Sequence, residues 1–212
     1  MDNMQKELEP VLYLVDDEFS RTSLLNSIKA DDLHIKEFAD VNEFIASYDA
    51  SLPGCLVIGA NMLGVSAIEA QKLLLSHKLH LPIIFVATFV DIALAIDLMK
   101  MGVFDLLTRP FNRQRLLDTI SLAIDKDRFK RSHLAKFHFI DGLIKSLSNR
   151  EKEVAELIVQ GFSNKKIAIT LSISIKTVEL HRSRVMAKME ASSLANLVTK
   201  FLQHEHYQDE FF

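Results

Sequence analysis

Two groups of residues in this chain have the types and spacing to do chemistry. The first is acidic. Asp16, Asp17 and Glu18 directly follow the apolar run VLYLV (11–15). Carboxylates grouped at the end of a strand are hard oxygen ligands suited to a cation such as Mg²⁺. They also suit a solvated turn that caps the next helix. The second group is basic. Between Ser163 and Lys188 lie six cations, Lys165, Lys166, Lys176, Arg182, Arg184 and Lys188, and one acid, Glu179. Such a segment attracts phosphates, or builds a small basic bundle that binds another protein.

The elements around the acidic group alternate. VLYLV (11–15), LHIKEF (33–38), CLVIG (55–59), PIIFVA (82–87) and VFDLL (103–107) read as strands. Helical patterns fall between them at 18–29, 41–49, 66–77 and 91–100. Strands separated by helices predict a parallel sheet, and strands covered on both faces are apolar throughout. The expected fold is α/β, a flavodoxin-like, doubly wound, five-stranded sheet with its ligand site at the carboxyl ends of the strands.

After Pro110 the pattern is helical. Leu116, Leu117, Ile120 and Ile124 share one face of a helix starting near Asn112. That helix runs into the charged stretch DKDRFKRSHLAK (125–136), the candidate linker, with Gly142 as a break. The expected domains are 1–125, a helical linker over 126–145, and an all-α unit over 146–212 ending in an acidic tail. Four helices are expected from Leu147 on. Ser148 with Glu151 three residues later forms a capping box, and Gly161 closes that helix. Ser163 and Ser174 open the next two, and Ser192 or Ser193 opens SLANLVTKFL. Two short helices joined tightly in a basic segment suggest helix-turn-helix. On the helix from Ser174, Val178, Val185 and Met189 share an inward stripe. Glu179, Arg182 and Ser183 lie on another face, with Lys176 near the amino end, as the DNA major groove requires.

Composition narrows the classes. The 212 residues carry a net charge of -3, but the charge is uneven. Residues 146–200 hold nine Lys/Arg against five Asp/Glu, so the back is basic and the front acidic. Cys55 is the single cysteine, which excludes an internal disulfide and fits a reducing compartment. It sits within an apolar strand, as an inert core thiol. MDNMQKELEP lacks the apolar core of a signal peptide. LHLPIIFVATFV (79–90) is shorter than the ~20 residues of a membrane helix. A cytoplasmic protein that does not enter a membrane is expected. His204 and His206 form a lone H-x-H, too weak a pattern to imply a metal.

LSNREKEVAELIVQGFSNKKIAITLSISIKTVELHRSRVMAKM (147–189) closely resembles the LuxR-type helix-turn-helix domain of the FixJ group. The resemblance implies that Glu179, Leu180 and Ser183 touch base edges. It implies that Lys176, Thr177, His181, Arg182 and Lys188 touch or approach phosphates. Glu151 is expected to be internal. The final helix, where this family pairs, carries an apolar stripe of Leu194, Leu197, Val198 and Phe201; such a stripe also serves to close the bundle.

VLYLVDDEFSRTSL, PGCLVIGANMLGVSAIE and PIIFVATFVDIALAIDLMKMGVFDLLTRPF resemble response-regulator receiver domains. That family carries a phosphoacceptor aspartate where this chain has Gly59. It carries a Thr or Ser where Ala87 stands, a Lys where Arg109 stands, and an aromatic switch residue where Leu106 stands. The loop proline is replaced by Leu63. Asp16, Asp17, Gly59, Asn61, Ala87 and Arg109 therefore form an altered pocket with no phosphoacceptor. Arg109 is expected to pair with Asp16 or Asp17, with Gly59 making room for its guanidinium. No catalytic residue, metal or cofactor is expected. The expected function is a sequence-specific transcription regulator that binds double-stranded promoter DNA without aspartyl phosphorylation. Its receiver would serve dimerisation, through the surface over about 91–125, or partner or ligand sensing. The alternative is an adaptor that captures a kinase or another regulator, with DNA binding secondary.

Overall fold

The structure is a computed structural model and describes residues 9–28, 33–60 and 65–211. It divides into two compact units, 1–131 and 132–212.

The first unit is built on five parallel strands, β1 (Val11–Val15), β2 (His34–Phe38), β3 (Gly54–Gly59), β4 (Ile83–Ala87) and β5 (Asp105–Thr108). Their order is β2-β1-β3-β4-β5, with the reversal at β1 and β3. The connecting helices are α1 (Glu18–Ile28), α2 (Val41–Ser47), α3 (Ala67–Ser76) and α4 (Ile92–Lys100). They are followed by α5 (Arg113–Lys145), which Asn112 opens by accepting from the Arg115 N–H. Side chains alternate across a strand, and the two cores follow that period. Val11, Tyr13 and Val15 pack with α2, α3 and α4; Leu12 and Leu14 pack with α1 and α5. β5 begins two residues later than the apolar pattern suggests. Val103 is buried and Phe104 partly so, yet the pairing with β4 starts at Asp105 opposite Ile84.

The charged stretch after residue 125 starts with two residues fastened to the sheet unit. Helix α5 runs unbroken for 33 residues, through Gly142, where open space surrounds the missing Cβ. Asp127 is 2% exposed and accepts from the Gly54 N–H at 2.9 Å. Arg131 pairs with Asp127 at 2.5 Å and donates to the Ala50 carbonyl at 2.6 Å. Both residues are thus fastened to the sheet unit. Two charges of the candidate linker here satisfy a backbone N–H and a loop carbonyl.

The second unit contains α6 (Asn149–Val159), α7 (Asn164–Leu171), α8 (Ile175–Lys188) and α9 (Leu194–Phe211). Ser148, Ser163, Ser174 and Ser193 each accept a first-turn N–H. Gly161, at φ 82°, follows the end of α6. Leu147, Val154, Ile158, Ile167, Val178, Val185, Met189 and Leu197 form the core. The acidic segment after residue 200 continues α9 as helix to Phe211. It is held by packing against the residues of α5 that belong to this unit. His204 stacks on Phe137 at 5.0 Å and lies 3.2 Å from Asp141, and His133 contacts the Tyr207 ring. Leu197 and Phe201 close the bundle, while Leu194 is exposed.

Candidate functional site

The acidic pocket lies at the carboxyl ends of β1 and β3, at the reversal of strand order. Val15 pairs with Ile58, so the next residues, Asp16 and Gly59, are neighbours across the ladder. The two acids do different work. Asp17 is exposed and accepts from the Ser20 N–H at 2.9 Å, capping α1, and this bond holds its carboxyl below the usual range. Asp16 is 3% exposed and turns inward. Its Oδ1 accepts from the Asp17 N–H at 2.9 Å, and its Oδ2 meets the Arg109 Nη2 at 3.3 Å. Arg109 Nη1 also donates to the Ser20 hydroxyl at 3.2 Å.

Arg109 therefore takes Asp16 as its partner, but Gly59 accommodates something else. A Cβ at Gly59 would stand 2.2 Å from Asp16 Oδ1 and 2.5 Å from its Cγ. The space beside residue 59 holds the Asp16 carboxyl, not the guanidinium. Ala87 is buried at the end of β4, with Thr88 exposed after it. Leu106 packs against the core on the α2, α3 and α4 side. Asn61 and Leu63 lie outside the described residues.

Burial pushes the Asp16 carboxyl up to about 6, outweighing both the Asp17 N–H and Arg109, which favour the charge. The folded state thus holds this proton more tightly than the unfolded chain does. Its contribution to stability is greatest in acid and falls as pH rises from about 4 to about 6. Asp16→Asn should flatten that slope, removing a dependence on the order of 2 kcal/mol between pH 4 and 7 in urea titrations. An unchanged slope would place the proton elsewhere.

The basic unit presents its own face. Opposite the buried Val178, Val185 and Met189, α8 exposes Lys176, Glu179, Leu180, Ser183, Arg184 and Ala187. Thr177, His181 and Arg182 flank this face half-buried, and the Thr177 N–H and hydroxyl engage the Ser174 cap. The turn before α8 is tight because Ser172 adopts the left-handed conformation, at φ 55°, and Ile173 N–H returns to Ala168. Lys188 stands apart from the residues grouped with it in the sequence. Its ammonium binds Glu151 at 2.7 Å and the Ser146 carbonyl at 3.1 Å. Glu151 is 4% exposed, and that ammonium and the Ser148 N–H hold its carboxyl down to about 2. Lys188 thus braces the α6 capping box.

The remaining cations sort by partner. Arg150 pairs with Glu153, Lys200 donates to the Met189 and Glu190 carbonyls at the end of α8, and Lys166 lies 3.7 Å from the Phe162 ring centroid. The side chains of Lys152, Lys165, Lys176, Arg182 and Arg184 have no hydrogen-bond or ion-pair partner among the described residues. Arg184 is the residue that the sequence reading leaves out of the DNA-facing set; its signal is the spacing from Val178 and Val185, which turns it outward.

Comparison with known proteins places both units. Residues 11–121 match the model described as "Response regulator receiver domain", and residues 145–201 match "Bacterial regulatory proteins, luxR family". Nodulation protein W of Bradyrhizobium diazoefficiens is 34% identical over 189 residues, 89% of this chain and 83% of that protein. Transcriptional regulatory protein FixJ of Azorhizobium caulinodans is 32% identical over 192 residues, 89% of this chain and 90% of that one. Among solved structures, the response regulator StyR superposes with a TM-score of 0.82 at 32% identity, covering 96% of this chain and all of that one.

Proposed function

The chain belongs to the response regulators that join a receiver to a LuxR-type DNA-binding domain, a family of transcription regulators and not of enzymes, and from that premise we propose that it binds a specific promoter sequence as a dimer without a phosphorylation switch. The observation that carries this reading is the position of the Asp16 carboxyl. It fills the space beside Gly59 and is neutralised by Arg109. The residue expected to accept a phosphoryl group has no side chain, Ala87 offers no hydroxyl, and the local cation is already engaged. The state of the receiver is then set by association, with a second copy or with a partner or ligand, because only differential binding shifts such an equilibrium.

The surface of α4 supports pairing. Ile92, 80% exposed, Ile96 and Met99 form a stripe at helical spacing on α4, and Phe89, 77% exposed, lies in the segment just before it. On the basic unit, Glu179, Leu180 and Ser183 face base edges. Lys176, Thr177, His181 and Arg182 approach phosphates. The protein acts at promoters in the cytoplasm; among the described residues no helix is long and apolar enough to cross a membrane.

The test is selection from random duplex DNA with untreated full-length protein. One sequence should be enriched, and Glu179→Ala with Arg182→Ala should weaken binding to it roughly a hundred-fold, the sum of one base and one phosphate contact. Treatment with acetyl phosphate should leave the intact mass unchanged. No enrichment, or an adduct of one phosphate, overturns the reading.

A further inference from the structure

The DNA-facing side of α8 is asymmetric along its length. In its first two turns the exposed positions carry long side chains, Lys176, Glu179 and Leu180. In the next two the centre of that face carries Ser183 and Ala187, both small, with Arg184 and Lys188 exposed beside them. Small residues there let the helix backbone lie close to whatever it docks on. Arg184 stands beside them, one turn beyond Leu180 and two beyond Lys176. It is exposed and has no hydrogen-bond or ion-pair partner among the described residues. The neighbouring cations Lys188, Lys200 and Arg150 all hold groups within their own unit. The guanidinium of Arg184 therefore has donors to spare and a helix surface shaped to bring them close.

We infer that Arg184 reads a guanine in the major groove, extending recognition one turn beyond the contacts of Glu179 and Leu180. A guanidinium offers two parallel donors that match the O6 and N7 acceptors of guanine, a pattern no other base presents in that groove. An ammonium cannot reproduce the fork. Phosphate contact alone would add affinity without sequence preference. The inference rests on the DNA-binding reading and adds to it a specificity determinant at the third turn of α8.

The experiment repeats the selection with full-length Arg184→Ala and Arg184→Lys proteins beside the parent. Arg184 is exposed and without a partner among the described residues, so both variants should melt with the parent. The parent should select a guanine at a fixed distance outside the bases read by Glu179. Arg184→Ala should lose that preference, with roughly ten-fold or more discrimination vanishing at that position alone. Arg184→Lys should keep the salt dependence of the parent but not the preference. Arg184→Lys restoring the full parental profile would make Arg184 a phosphate contact and overturn the inference. An Arg184→Ala profile identical to the parent would also overturn it, while leaving DNA binding itself standing. A parent that selects no sequence would overturn both.

Discussion

Replacing Gly59 by aspartate will produce a protein that takes up no phosphoryl group from acetyl phosphate and melts below the parent. The new Cβ would lie 2.2 Å from Asp16 Oδ1, so the Asp16 carboxyl must leave its position. In leaving it gives up the Asp17 N–H and weakens its pairing with Arg109. Two carboxyls then share a pocket with one guanidinium. Like charges at that separation drive at least one proton affinity up, and the ionised pair lacks enough donors to offset burial. The expected loss is about 2–4 kcal/mol at neutral pH, smaller near pH 4, where protonation relieves the repulsion. Chemistry does not return with the acid, because Ala87 still lacks a hydroxyl and Arg109 still stands where the family carries an ammonium. Intact mass and thermal melting at two pH values measure both halves of the result. An adduct on the Gly59→Asp protein would show that one carboxylate suffices, and that the pocket is altered at a single point.

Asp127→Ala should destabilise the receiver by about 3–5 kcal/mol. One carboxylate oxygen satisfies the buried Gly54 N–H and the Arg131 guanidinium together. Removing it leaves an orphaned backbone donor and an uncompensated cation. Neither can relax easily. Gly54 is fixed by the chain beside it, since a Cβ there would meet the Val11 carbonyl at 2.1 Å. Arg131 is anchored to Ala50 and to the Tyr48 hydroxyl. Asp127→Asn keeps an acceptor for Gly54 and should cost about half as much. Urea denaturation followed by far-ultraviolet circular dichroism separates the two variants. A loss under about 1 kcal/mol for Asp127→Ala would mean that the Gly54 N–H finds water.

Much of this molecule is legible in its amino-acid sequence. The apolar strands and the helices between them specify a doubly wound sheet, because only burial on both faces tolerates VLYLV or CLVIG without alternation. Serine caps and Gly161 mark the helix ends, because orphaned backbone groups at those ends must find partners within a few residues. The partnership of Arg109 is legible for a related reason: a buried acid needs a donor or a cation within reach.

What the sequence does not carry is which atom fills which space. Gly59 reads as room for a guanidinium, and it is the Asp16 carboxyl that stands there, because strand register makes residues 16 and 59 neighbours. Asp127 and Arg131 read as part of a helical linker, and Asp127 accepts from a backbone N–H 73 positions earlier in the chain while Arg131 holds Ala50 and Tyr48. Lys188 reads as one of a row of phosphate contacts, and it braces Glu151 from 37 residues away. Arg184 reads as one cation among six, and the fold turns it outward beside Ser183 and Ala187 without a partner among the described residues. Periodicity, caps and composition are local, and they determined the two units and their elements. Pairings across the sheet and between helices depend on contacts between distant residues, and those only the tertiary structure decided.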